Sequence, residues 1–482
     1  MGYSRRDFMR LAGVAATAQS APRARAQEQT QPNILFILSD DHSVPHVGCY
    51  GNEDVKTPNL DRFAAEGMRF DRAYVMSPQC APSRASIMTG RSPVAIQMSR
   101  FSAPLPMDVR TYPEILRANG YFTGVAGRTY HMNGEASKSN SLIREIYDKH
   151  NLRSFPERLD YVRTGNMQSG IQQFSEFLDL KPKDKPFFLQ LGSNDPHRRF
   201  GPNMAREPHD PAKLKLPIHF PDTPLVREDF GYYYDKISRF DDDFGTVMQL
   251  LEDRGLTDNT LVVFLGDNGA ALFRGKGTLY EFGIHVPMIA RWPGRIEPGR
   301  TSAELISGED LAPTFLEAAN VAVPKEMTGK SFVKHLEGEA STDRKHVFSE
   351  RGAHHIYLPK HTGAFDLSRC VVGRRYKLIY NALWQIPYEP VDFASTDMWK
   401  DLGERNAAGK LSPRLSKMYF APTRPMYELY DLESDPGELN NLAGNQEVDL
   451  VEQELRAALI EWTVLERDYL PLPIAADPPD LR

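Results

Sequence analysis

The run Asn33-Ile34-Leu35-Phe36-Ile37-Leu38 carries no polar side chain after its first residue. A strand with one face in water alternates apolar and polar residues. An unbroken apolar strand needs cover on both faces, as in a parallel sheet held between helices. Shorter runs of the same kind lie at residues 121–126, 186–191, 261–265 and 286–290, separated by stretches of helical period. That alternation predicts an α/β sandwich, with a large, mostly parallel central sheet flanked by helices. Thr57-Pro58-Asn59 predicts a helix start, with Thr57 as N-cap, Pro58 in the first turn and Gly67 beyond the end. A long helix is predicted over residues 229–254, because Tyr233, Ile237, Phe240, Phe244, Val247 and Leu251 recur on one face.

Past residue 340 the pattern changes. Residues 369–380 read as strand, turn, strand, residues 426–432 as a further strand, and residues 448–462 as an amphipathic helix. The expected organisation is a catalytic part over 27–340, a smaller C-terminal α+β subdomain with an antiparallel sheet over 341–470, and an irregular tail over 471–482. Residues 1–26 read as a leader. Ser4-Arg5-Arg6-Asp7-Phe8 is a twin-arginine export signal, a mildly apolar stretch follows, and Ala24-Arg25-Ala26 offers a cleavage site. The expected location is a bacterial periplasm or beyond. Losing five arginines and one aspartate takes the net charge from −6 to about −10, which argues against a nucleic-acid partner. No apolar run is long enough to span a bilayer. With 3 Cys the chain is not a disulfide scaffold, and whether Cys49 and Cys370 pair is left open.

Two polar clusters follow directly on apolar runs: Asp40-Asp41 after Leu38, and Asp267-Asn268 after Leu265-Gly266. In an open α/β sheet, ligand sites form outside the carboxyl ends of strands. Three carboxylates and an amide oxygen are hard ligands, suited to Ca²⁺ or Mg²⁺ and not to zinc.

The most specific motif is Cys80-Ala81-Pro82-Ser83-Arg84, continued by Ala85-Ser86-Ile87-Met88-Thr89-Gly90-Arg91. With 3 Cys and 36 Pro in 482 residues, Cys-x-Pro-x-basic is expected by chance roughly 0.03 times. The segment resembles the maturation signal of the type I sulfatases, in which a maturase oxidises the thiol to formylglycine. The resemblance implies an alkaline-phosphatase-like fold and sulfuryl transfer to the hydrate of that aldehyde. It implies metal ligation by Asp40, Asp41, Cys80, Asp267 and Asn268. Arg84 matches the motif arginine, and Lys276 in Gly275-Lys276-Gly277-Thr278 the sulfate-contacting lysine. His197, in Asp195-Pro196-His197, matches the acid on the leaving-group side, and His131 the base that acts on the second hydroxyl. One position departs: Gly127-Arg128-Thr129-Tyr130-His131 has arginine where the family commonly has lysine, so Arg128 is expected on the sulfate or the hydrated aldehyde.

The C-terminal half resembles the heparan N-sulfatase branch of that family, through Val347-Phe348-Ser349-Glu350, His354-His355 and Tyr427-Glu428-Leu429-Tyr430-Asp431. His355 is the expected substrate contact, while His42, His46 and His354 either line the pocket or sit in loops. The implied substrate is a sulfated mono- or oligosaccharide carrying O- or N-linked sulfate, and the implied role is glycan degradation. Two alternatives stand beside it: a phosphonate or phosphate mono- or diester hydrolase of the same superfamily, and a catalytically inactive glycan-binding protein.

Overall fold

A computed structural model describes residues 31–101, 103–134, 141–339, 343–354 and 360–470. The leader, the tail and His355 therefore lie outside the described residues. From Pro32 onward the chain packs as a single unit.

Eight strands form the large sheet. In order from edge to edge they are Tyr161–Val162, Phe122–Gly127, Phe187–Gly192, Asn33–Ser39, Thr260–Gly266, Met288–Arg291, Met68–Phe70 and Arg300–Ser302. The first five run parallel. Met288–Arg291 is antiparallel to both of its neighbours. The central strand Asn33–Ser39 is buried along its whole length. Its side chains alternate between two cores. Ile34, Phe36 and Leu38 join the larger cluster, while Leu35 and Ile37 pack with Phe240, Phe244 and Val247 on the other face. This is the two-sided cover that the apolar run demands.

The long helix begins earlier than its periodicity suggests, at Pro224, and runs to Asp253. Thr223 caps it by accepting the Val226 amide, so capping chemistry placed the start and the apolar face only begins at Val226. The helix after Thr57 spans Pro58–Ala65. Thr57 does not cap it through its side chain. Its hydroxyl accepts from the Gly48 amide and faces Asp61 instead.

A second, antiparallel sheet pairs Val347–Ala353, Phe365–Val372, Tyr376–Asn381 and Tyr427–Asp431 in that order. One face meets the Asp449–Leu465 helix through Val371, Leu378, Leu429, Leu455 and Leu459. The other lends Cys370, Val372, Ile379 and Tyr430 to the main core. Cys49, Cys80 and Cys370 are all free thiols. Among the described residues no helix is long and apolar enough to cross a membrane.

Candidate active site

Four neighbouring parallel strands end level with one another. Gly127 pairs with Gly192, Leu38 with Gly192, and Ser39 with Gly266. The residues that follow therefore emerge along one edge: Arg128, the 193–197 loop, Asp40-Asp41 and Asp267-Asn268. Gly127 makes its turn at φ 75°, where a Cβ would strike the Gly192 carbonyl. The loops are tied across the edge, since the Asp40 amide donates to Asp195 O (3.0 Å) and the Asp41 amide to Asp267 Oδ1 (3.0 Å).

The Cys80–Thr89 helix is buried on every side and aims its N-terminus at this edge. Cys80 Sγ lies 3.5 Å from Asp40 Oδ1 and 3.9 Å from Asp41 Oδ1. One turn on, Arg84 is fully buried and ties two strand ends together: Nε donates to Asp267 Oδ2 (2.8 Å) and Nη2 to Asp40 Oδ2 (3.2 Å). Burial and the adjacent Asp40 push the Cys80 thiol well up, toward its neutral form.

The cations expected from the sequence converge here. Arg128 pairs with Asp40. Lys276 Nζ lies 2.9 Å from Asp41 Oδ1. Burial opposes its charge, but Asp392 and Asp41 outweigh that and keep it an ammonium. His131 is buried, and neither of its ring nitrogens has a hydrogen-bond partner among the described residues. Burial, helped by Arg84 and Arg128, pulls it well below the usual histidine range, which leaves the ring neutral and able to accept a proton. His197 is partly exposed, with Nε2 3.8 Å from Asp41 Oδ2. Its loop is anchored by Asp195, which binds Lys236 (3.1 Å) and Arg239 (2.7 Å).

The donor set fits a hard divalent cation. Single ligand atoms from Asp40, Asp41, Cys80 and Asp267 all lie within 4.8 Å of one another. Asn268 is buried, spends its amide nitrogen on Asp41 Oδ1 (2.8 Å), and leaves its oxygen without a partner among the described residues. Burial and Asp40 push Asp267 up, while Arg128, His197 and Arg84 overcome burial to hold Asp40 down. Three crowded carboxylates plus an unmatched amide oxygen are what an oxygen-bound cation requires.

Residues 32–321 match the family model described as Sulfatase. This chain belongs to the sulfatase family. A second model, "N-sulphoglucosamine sulphohydrolase, C-terminal", matches residues 269–407. An ulvan-active sulfatase of Formosa agariphila is 30% identical over 91% of this chain and 81% of its own length. The human N-sulphoglucosamine sulphohydrolase is 28% identical over 89% of each chain. Among solved structures, a protein in complex with its substrate D-glucosamine-2-N,6-O-disulfate superposes with a TM-score of 0.68 at 21% identity, covering 92% of this chain and 100% of that one. That likeness establishes the alkaline-phosphatase-like sandwich expected from the sequence.

The candidate site also contains residues that sequence reasoning missed. Asp392 reaches in from the C-terminal part and lies 2.8 Å from Lys276 Nζ, 3.7 Å from His197 Nε2 and 3.5 Å from His354 Nε2. Gln79 binds His354 Nδ1 at 2.9 Å, which joins the start of the Cys80 helix to the second sheet. Asp392 follows no strand and sits in no motif, so its neighbours along the chain gave no signal. His42 is a structural residue: its ring bridges Ser39 Oγ (3.2 Å) and His46 O (3.0 Å). His46 is likewise enclosed, by Phe230, Tyr233, Tyr234 and Phe282.

Proposed function

We propose that this protein hydrolyses sulfate esters or N-sulfamates of a sulfated carbohydrate, with residue 80 acting as formylglycine. The observation that carries this reading is the meeting of Cys80 Sγ, an Asp40 carboxylate oxygen and a His131 ring nitrogen within 4.8 Å of one another, at the head of a buried helix. Maturation supplies at residue 80 a hydrated aldehyde whose hydroxyl is the nucleophile toward sulfur. A Ca²⁺ or Mg²⁺ ion held by Asp40, Asp41, Asp267, Asn268 and residue 80 would lower the pKa of that hydroxyl and polarise the sulfate oxygens.

The rest of the work falls to side chains of this chain. Lys276, Arg84 and Arg128 surround the sulfate position with positive charge and stabilise the equatorial oxygens. His197, on the partly open side, protonates the departing oxygen or nitrogen. His131, held neutral, would take the proton from the second hydroxyl of residue 80, so that the carbonyl re-forms as the C–O bond to the transferred sulfate breaks and sulfate leaves. Residues 27–340 would carry the reaction and 341–470 would close one side of it through Asp392. The twin-arginine leader would export the folded, matured protein to the periplasm, after a maturase has oxidised Cys80.

Of the alternatives, neither the phosphonate or phosphate hydrolase nor the inactive glycan binder is favoured. The family match and the curated relatives named above are sulfatases, and Cys80, Arg84, His131, His197, Lys276 and the four acidic and amide ligands are all present, with arginine at 128 in place of the common lysine. The test is a panel of mono- and disaccharides with N-, 2-O-, 3-O- and 6-O-sulfate, given to protein from a maturase-competent host. Sulfate release with at least one member, lost in Cys80→Ala, is expected. Equal turnover by Cys80→Ala, or a mass spectrum with only unmodified thiol in active protein, would overturn the proposal.

A further inference from the structure

Arg351, on the strand Val347–Ala353, is fully buried, yet most of its guanidinium is unused. Nη2 donates to Thr362 O at 2.9 Å, while Nε and Nη1 have no partner among the described residues. The carboxylates around it are committed elsewhere. Asp366 is held by two bonds from Arg424, both 2.8 Å. Asp392 belongs to Lys276. Glu350, next along the strand, points to the opposite face and lies beside Arg369 (3.6 Å). Burial lowers Arg351 only to about 10, so it remains a cation at neutral pH. A buried, unpaired guanidinium is costly unless an anion completes it.

Arg351 is one of the residues lining a cavity of about 570 Å³. Its walls are rich in hydroxyls, amides and rings, among them Ser368, Asn381, Tyr388, Tyr419 and Asn441. The acidic residues in the wall are already satisfied. Glu428 accepts from Tyr280 (2.8 Å), Tyr430 (2.6 Å) and Asn381 (2.7 Å), and Glu438 pairs with Lys377. The exposed Arg414 and Lys417 stand in the lining as well and add positive potential. None of Asp40, Asp41, Cys80, His131, His197 or Asp267 lines this cavity. It meets the segment that carries Lys276 at Gly277 and Thr278.

We propose that this cavity is a second site, which takes an acidic saccharide unit and holds its oxyanion through the unused N–H groups of Arg351. The planar guanidinium suits a carboxylate or a sulfate oxyanion. Aromatic faces, hydroxyls and amides suit the sugar ring, and the volume is that of an ordinary ligand pocket. The cavity offers a sugar acid a place that does not require sulfate chemistry at residue 80, so the proposal stands apart from the turnover reading.

The test is calorimetric titration of the full-length protein with glucuronic acid, which carries no sulfate to remove. Glucose serves as the neutral control and inorganic sulfate as the free-anion arm. Glucuronic acid is expected to bind with 1:1 stoichiometry, and glucose to give no heat. Arg351→Met should weaken glucuronate binding at least tenfold, and Arg351→Lys should weaken it less. Unliganded Arg351→Met should melt no lower than the parent, because the unpaired charge is gone. Thr423→Trp, an exposed position in the lining, should also lose binding while leaving Arg351 untouched, and so serves if Arg351→Met does not fold. Unchanged glucuronate affinity in both Arg351→Met and Thr423→Trp would overturn the proposal. So would binding of inorganic sulfate without glucuronate, or equal binding of glucose and glucuronate.

Discussion

Asp392 holds Lys276 from behind: the carboxylate and the ammonium are 2.8 Å apart, and the same ammonium reaches Asp41 on its other side. Lys276 is thereby fixed between a strand end of the large sheet and a loop from the C-terminal part. His197 and His354 approach the same carboxylate. Asp392→Asn keeps the shape and removes the charge that Lys276, His197 and His354 all approach. Misplacing such groups costs roughly 10- to 100-fold in rate. The expected result is a loss of that size in kcat, with a smaller change in KM, measured on the best sulfated sugar of the panel.

Gly277 sets the other side of Lys276. It has φ 79°, its amide donates to Pro78 O (2.9 Å), and an added Cβ would collide with Val391. Gly277→Ala must therefore bend the loop that carries Lys276. A loss of about 1–3 kcal/mol in stability is expected, from backbone strain and overpacking. Activity should fall further than stability. Urea titration and steady-state kinetics on the same preparation would measure both.

The acidic cluster at the strand ends predicts a dependence on divalent cations. Asp40, Asp41 and Asp267 are fully buried and crowd one another. A cation present at 100 times its Kd would contribute about 2.7 kcal/mol to stability. Chelator treatment should lower Tm and abolish activity, and titrating back Ca²⁺ and Mg²⁺ separately should show which ion restores both. An unchanged Tm after verified metal removal would contradict the ligand assignment.

Glu350 gives a pH dependence away from the reaction site. Burial pushes its carboxyl up to about 7 from the ordinary 4.5, against the pull of Arg369. Over that window the folded protein holds a proton that the unfolded chain has released. The contribution to stability is complete below about 4.5 and is lost as pH rises through about 7. The slope is at most about −1.4 kcal/mol per pH unit. Glu350→Gln, which stays neutral, should flatten that part of the stability profile, read by denaturant titration between pH 5 and pH 8.

The parts of the site that were legible in the sequence all sit next to a strong local signal. Asp40, Asp41, Asp267 and Asn268 follow buried strands, and Cys80 and Arg84 share one turn of a helix. Arg128 ends up on Asp40 because its strand stops level with its neighbours. The antiparallel direction of Met288–Arg291 was not legible, since an apolar run looks the same in either direction. Nor was the early start of the long helix, where a threonine cap and a proline precede the apolar face.

By itself, the sequence determined where buried strands lie and which chemically able residues follow them, because both depend on neighbours along the chain. The tertiary structure alone decided that Asp392 would brace Lys276 across more than a hundred residues, and that Arg351 would be buried at the wall of a cavity with two of its guanidinium nitrogens unused. Contacts of that kind come from how two sheets pack against each other. Packing depends on shape and burial summed over the whole molecule, and no local pattern in the chain records it.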